Sequence, residues 1–224
     1  MRRYIYFVFL LCCAVNLLLT SCVRQKYVVM DMVHHNPGEA MTESKFLDPS
    51  FLKKNEYGAK VFFLFEAAQF GIDWKSFDPS LFPATTEAGR WVAEKAEIIH
   101  KKYDAAKKED LQVYCMLDML VLPSLLVEKH RTELTNEQGK LDISKPYTQL
   151  CIRELMKEMF ETFPQLDGLV IRTGETYLHD APYYVGNHPV QNGMYDHITL
   201  INLLREEVCE RRNKKLFYRT WDMG

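Results

Sequence analysis

The chain has 224 residues, 47% hydrophobic and 26% charged, which is the make-up of a globular protein with enough apolar material for a sizeable core. Lys+Arg 28 against Asp+Glu 30 leaves a formal net charge of -2, and no Lys/Arg cluster suggests a groove that tracks phosphates. Composition therefore excludes nucleic acid as the expected partner.

Met1-Arg2-Arg3 is a positive n-region, and Ile5 to Leu19 is an apolar run too short for a comfortable membrane span. The run ends in Leu19-Thr20-Ser21-Cys22, which resembles a bacterial lipobox. The expectation is a signal peptide over residues 1–21, lipidation at Cys22, and one domain over 22–224. An ordinary signal peptide cut nearby, or an uncleaved anchor, is the alternative. Beyond Cys22 the chain holds Cys115, Cys151 and Cys209, with no C-x-x-C pair. These three read as buried small hydrophobes rather than a disulfide framework.

Tyr27 to His34 is an apolar, β-branched run suited to a buried strand, and His35-Asn36-Pro37-Gly38-Glu39 is a turn-rich loop that ends it. Asp48-Pro49 opens a short helix, with an N-cap Asp and Pro at the first helical position, and Tyr57-Gly58 closes it. Val61 to Phe65 is the second strand, ending at Glu66. A loop through Gln69, Asp73, Trp74 and Phe77 leads to a helix capped at Thr85-Thr86-Glu87.

Leu111 to Leu117 is the third strand, ending near Asp118, followed by a loop containing Pro123 and the polar stretch Glu133 to Lys145. Leu150, Ile152, Leu155, Met156, Met159 and Phe160 form a stripe at helical spacing over Tyr147 to Phe163. Asp167-Gly168 then opens the fourth strand, Leu169 to Thr173, ending at Gly174-Glu175. A helix over Asp196 to Arg212 precedes Leu216 to Gly224, which reads as a fifth buried strand reaching polar residues.

Strands alternating with helices predict βαβ units and a parallel sheet. An open doubly wound sheet would usually carry a glycine-rich phosphate turn, and neither G-x-G-x-x-G nor G-x-x-x-x-G-K-[ST] occurs. The longest loops all follow strands, where barrel active sites are built. The expected fold is α/β: an incomplete TIM-type (β/α)8 barrel of about five β/α units.

Such a fold brings the strand ends to one mouth: His34, His35, Glu66, Asp118, Arg172, Glu175 and Asp222. Arg172 in a buried strand requires a partner, with Glu175 or Asp118 at neighbouring strand ends as the candidates. The pair is either a structural clamp or a substrate contact. Glu175, just past a strand, beside an arginine and under an aromatic loop, suits a general acid. It can equally cap a helix or pair with Arg172.

His34 and His35 point to opposite faces of a strand and cannot both ligate one ion, so no metal is expected. No cofactor is expected either. Trp74, Tyr177, Tyr183, Tyr184 and Trp221 offer flat faces for sugar rings, although loop aromatics are also common packing residues. No G-x-S-x-G elbow and no loop cysteine with a nearby histidine signals a nucleophile.

The segment from His34 to Glu39, the Asp48-Pro49 helix start and the run from Asp167 to Tyr177 together resemble the catalytic barrels of bacterial glycoside hydrolases. The nearest likeness is to α-glucuronidase-like lipoproteins of Bacteroidetes, over about Tyr27 to Gly224. The resemblance implies a general acid at the end of the fourth strand, here Glu175, and a second carboxylate from a later strand that this chain does not carry. The expected function is glycan hydrolysis, with uronic-acid-containing substrates suited to Arg172. His35, Asn36, Glu66, Asp118, Tyr177 and Asp222 would line the subsite.

The expected partners are an oligo- or polysaccharide, a membrane reached through the N-terminal lipid at the bacterial cell envelope, and a second half of the barrel. The alternative is a non-catalytic sugar-binding lipoprotein or an inactive truncated remnant.

Overall fold

A computed structural model describes residues 28–31, 44–63, 66–173, 176, 178 and 180–219. The positions Cys22, His35, Asn36, Glu175, Tyr177 and Asp222 lie outside the described residues, as does the Ile5 to Leu19 run.

The described elements run β1 (Met30–Asp31), α1 (Pro49–Lys54), β2 (Ala59–Phe62), α2 (Glu87–Lys108), β3 (Gln112–Asp118), β4 (Val121–Pro123), α3 (Ser124–Lys129), α4 (Arg131–Leu134), α5 (Pro146–Thr162), β5 (Gly168–Arg172), β6 (Tyr184–Gly186), α6 (Met194–Leu204) and β7 (Lys215–Arg219). A π-helical segment, Arg205–Glu210, continues α6. Five strands form one sheet in the order β1-β2-β3-β5-β7, every pair parallel, while β4 and β6 make a separate antiparallel pair. Strand order therefore follows chain order without reversal, whereas a doubly wound sheet reverses at a switch point.

Local chemistry starts the helices. The Asp48 side chain accepts the Ser50 N–H at 2.9 Å with Pro49 next in the chain, and Thr86 Oγ1 accepts the Gly89 N–H at 3.0 Å. Each cap satisfies an N–H that the helix itself leaves without a partner. α1 stops at Lys54, before the expected Tyr57-Gly58 end.

The two faces of the sheet are unlike. Phe62, Val113, Cys115, Leu117, Leu169 and Ile171 share one core with α1, α2, α5 and α6 through Leu52, Val92, Ile99, Tyr103, Ile152, Met156, Leu200 and Leu204. The intervening residues Ala59, Val61, Tyr114, Met116 and Val170 form a second cluster to which no described helix contributes. Alternation along a strand produces this division, and burial of each large apolar side chain contributes roughly 1.5–3 kcal/mol.

Several expectations are corrected. β2 begins and ends earlier than Val61 to Phe65, and the last strand is a half-exposed edge among the described strands rather than a buried one, with Phe217 38% exposed. The loop after the third strand holds β4, α3 and α4. Cys115 and Cys151 are buried as expected, but Cys209 is only partly so. Trp74 is fully buried in the core, and Tyr184 packs between Phe70 and Phe82, so neither offers a face to a sugar.

Candidate active site

Asp118 and Arg172 are Cα partners at the carboxyl ends of β3 and β5. Since Leu117 and Ile171 face the helices, the next residue on each strand faces the opposite way. Both side chains are 7% exposed. Arg172 Nε donates to Asp118 Oδ1 at 2.5 Å and Nη2 to Oδ2 at 2.8 Å, a two-pronged contact in which each charge offsets the burial of the other. Of the two partners expected for Arg172, Asp118 is found, and Glu175 lies outside the described residues. The peptide bond between Met119 and Leu120 is cis.

Beside the pair lies a recess of about 10 Å3, lined by Phe63, Ala67, Gln69, Phe70, Met116, Asp118 and Arg172. That is room for about one oxygen atom. Gln69 is 2% exposed, and its Oε1 has no hydrogen-bond partner. It sits in the 3-10 turn Ala68–Gly71, which is pinned at two points. The Ala68 N–H meets Cys115 Sγ at 3.1 Å, and Tyr184 Oη donates to the Gln69 backbone oxygen at 3.3 Å. An unsatisfied buried acceptor costs about 1–3 kcal/mol, so the position is expensive to the fold.

On the far side of Arg172, β7 places Arg219 as its Cα partner. Phe217 meets the Tyr114 ring edge-on at 5.4 Å, on the helix-free face, so alternation puts Arg219 on that face too. The described rim thus carries Asp118 with two guanidinium groups. Sequence reasoning missed both Gln69, seen only as a loop residue, and Arg219, seen only as part of the last strand.

Glu66 lies elsewhere. Its carboxylate pairs with Lys102 of α2, and its backbone oxygen accepts from Tyr103 Oη at 2.9 Å, on the helix side. The structure does not bring it together with Asp118 and Arg172.

Burial pushes the Cys115 thiol up to about 12, and Cys151 likewise, so both are protonated at neutral pH and are poor nucleophiles. Among the described residues, no group of three His, Cys, Asp or Glu side chains is disposed to hold a metal ion. A groove of about 350 Å3, lined by Phe82, Pro83, Pro123, Leu125, Pro182 and Tyr183 among others, is built from the loops that follow β2, β3 and β5.

No protein-family profile matches the chain, and no curated protein is detectably similar in sequence. Solved structures to which it is similar include a noncanonic maltogenic α-amylase of Thermotoga neapolitana, with TM-score 0.47 and 14% identity over 87% of this chain and 45% of that one. A GH138 enzyme targeting pectin rhamnogalacturonan II matches with TM-score 0.37 and 14% identity, over 66% of this chain and 18% of that one. A β-glucosidase of Trichoderma harzianum matches with TM-score 0.40 and 9% identity, over 84% and 39%. The chain spans less than half the length of each.

Proposed function

We propose that the rim of the parallel sheet handles a glycan, and that the chain derives from a glycoside hydrolase whose proton donor is Glu175. The observation that carries this reading is the buried Asp118–Arg172 pair, set at the carboxyl ends of adjacent parallel strands, with an oxygen-sized recess beside it. Glu175 follows Arg172 by only a short stretch of chain. In this reading, residues 22–224 are an arc of a (β/α)8 barrel, a shape that the unreversed strand order suits. His35, Asn36, Tyr177 and Asp222 complete the subsite.

The uronic-acid preference is assigned differently from what the sequence alone suggested. Arg172 presents two N–H groups to Asp118, so its part is to fix the charge of the rim. Arg219, its Cα partner on β7, adds a second guanidinium to the rim on which a sugar carboxylate would be read. Cys22 carries the lipid that holds the protein at the cell envelope.

A non-catalytic, sugar-binding role is the second reading. One observation favours it: among the described residues the inner-rim carboxylate, Asp118, is committed to Arg172, whereas glycoside hydrolysis uses two carboxylates.

Hydrolysis of phenyl α-glucuronide separates the two readings, because its leaving group needs a proton. The enzyme reading expects turnover by the chain joined to the second half of its barrel, and a fall in kcat of roughly 10²–10⁴ for Glu175→Gln in that protein with KM little changed. A near-normal kcat in that variant removes Glu175 from the mechanism. Saturable binding of the glucuronide without turnover establishes the second reading.

A further inference from the structure

Gln69 occupies a position that folding alone does not explain. Its side chain is almost entirely enclosed, yet Oε1 meets no donor, while the turn that carries it is pinned by Cys115 and Tyr184. The amide is therefore held in place with its acceptor unused.

The remaining walls of the recess narrow what that acceptor awaits. Phe63, Ala67, Phe70 and Met116 are apolar, and the two charged members face each other across 2.5 and 2.8 Å contacts. A lone water requires two to four polar partners, and here it would have to share Asp118 and Arg172 with the contact that they make to each other. A hydroxyl carried on a ligand differs: its oxygen donates to Gln69 while the carbon behind it lies against apolar side chains. A sugar ring supplies that combination, because its hydroxyls project from an apolar C–H framework.

We propose that Gln69 is the hydroxyl-reading residue of this rim, its side-chain carbonyl accepting a hydrogen bond from one ring hydroxyl of a bound sugar, with only that hydroxyl entering the recess beside Asp118 and Arg172. The inference rests on the glycan reading above and adds to it a specificity-determining residue, one atom of that residue and the ligand group it recognises.

The test combines Gln69→Met, which keeps side-chain length and removes the amide, with the monodeoxy series of methyl α-glucuronoside. Calorimetric titration should show the wild-type chain binding the parent sugar, and Q69M binding it roughly tenfold more weakly. One monodeoxy analogue should bind wild type about tenfold less than the parent does and bind Q69M no less than the parent does. The thermal midpoint of sugar-free Q69M should equal or exceed that of wild type, because no buried acceptor is then left unsatisfied.

Equal affinity of the parent sugar for both proteins overturns the role of Gln69 and leaves the glycan reading intact. Uniform losses across the deoxy series, or a lowered midpoint or failure to fold in Q69M, make the amide part of the scaffold and also overturn the proposal. If wild type binds no member of the series, the glycan reading fails and takes this inference with it.

Discussion

Asp118 and Arg172 stand opposite each other, Cα for Cα, on adjacent parallel strands, and two N–H groups of the guanidinium reach both oxygens of the carboxylate. Removing one member takes its two-pronged partner from the other in a buried site, which costs about 3–5 kcal/mol. Arg172→Met and Asp118→Asn should each lower the urea midpoint by a corresponding amount. The double replacement Asp118→Leu with Arg172→Met should recover most of the loss, since a well-packed apolar pair rivals a buried ion pair. Single variants that lose less than about 1 kcal/mol would mean that the pair is screened like a surface contact.

Gly168 is the first residue of β5, and a Cβ built there would lie 2.2 Å from the Lys215 backbone oxygen and 2.9 Å from the Tyr114 ring. Gly168→Ala must push β7 away from β5 or shift β5 itself. We expect a destabilisation of about 1–3 kcal/mol or more, together with faster amide exchange along Lys215 to Arg219. Unchanged exchange in β7 would show that the two strands part elsewhere.

Asp78 accepts from the Ser80 N–H at 2.9 Å and meets Lys129 Nζ at 2.8 Å, and these contacts, Lys129 first, hold its carboxyl down to about 2 from an ordinary 3.8. A depressed folded-state value means that the contribution is present above the unfolded value of 3.8 and is lost as pH falls from there toward 2. Both partners are partly solvated, so solvent screening limits the pair to about 1 kcal/mol or less. Lys129→Met should therefore melt a few degrees below wild type at neutral pH, with the gap closing by about pH 2. Melting curves across that range decide the matter, and a gap of constant size would assign the loss to packing.

Helix starts were legible in the sequence because their determinants are local: Asp48 with Pro49, and Thr86 three residues before Gly89, each act within one turn. The parallel sheet was legible for a related reason, since long apolar runs separated by helical stripes leave few arrangements open. The need of Arg172 for a carboxylate followed from its place in a buried strand, and Asp118 meets it.

What sequence could not supply depends on distant contacts. Gln69 is fixed by Tyr184, 115 residues on, and through its neighbour Ala68 by Cys115, 47 residues beyond Ala68. Trp74 looked like a loop aromatic until the loop folded inward and closed over it. Glu66 follows a strand, as a rim residue would, but Lys102 on α2 draws its charge to the helices. The β4 and β6 strands are three residues each and too short to leave a periodic pattern.

Leu117 and Asp118 are joined by one peptide bond yet answer to separate demands, and the same holds for Ile171 and Arg172. A change at the first of each couple disturbs the seal between sheet and helices, while a change at the second alters what the open side presents. Substitutions at the first position of each couple are therefore felt as a loosened sheet-to-helix seam, and substitutions at the second as an altered charge balance along the rim.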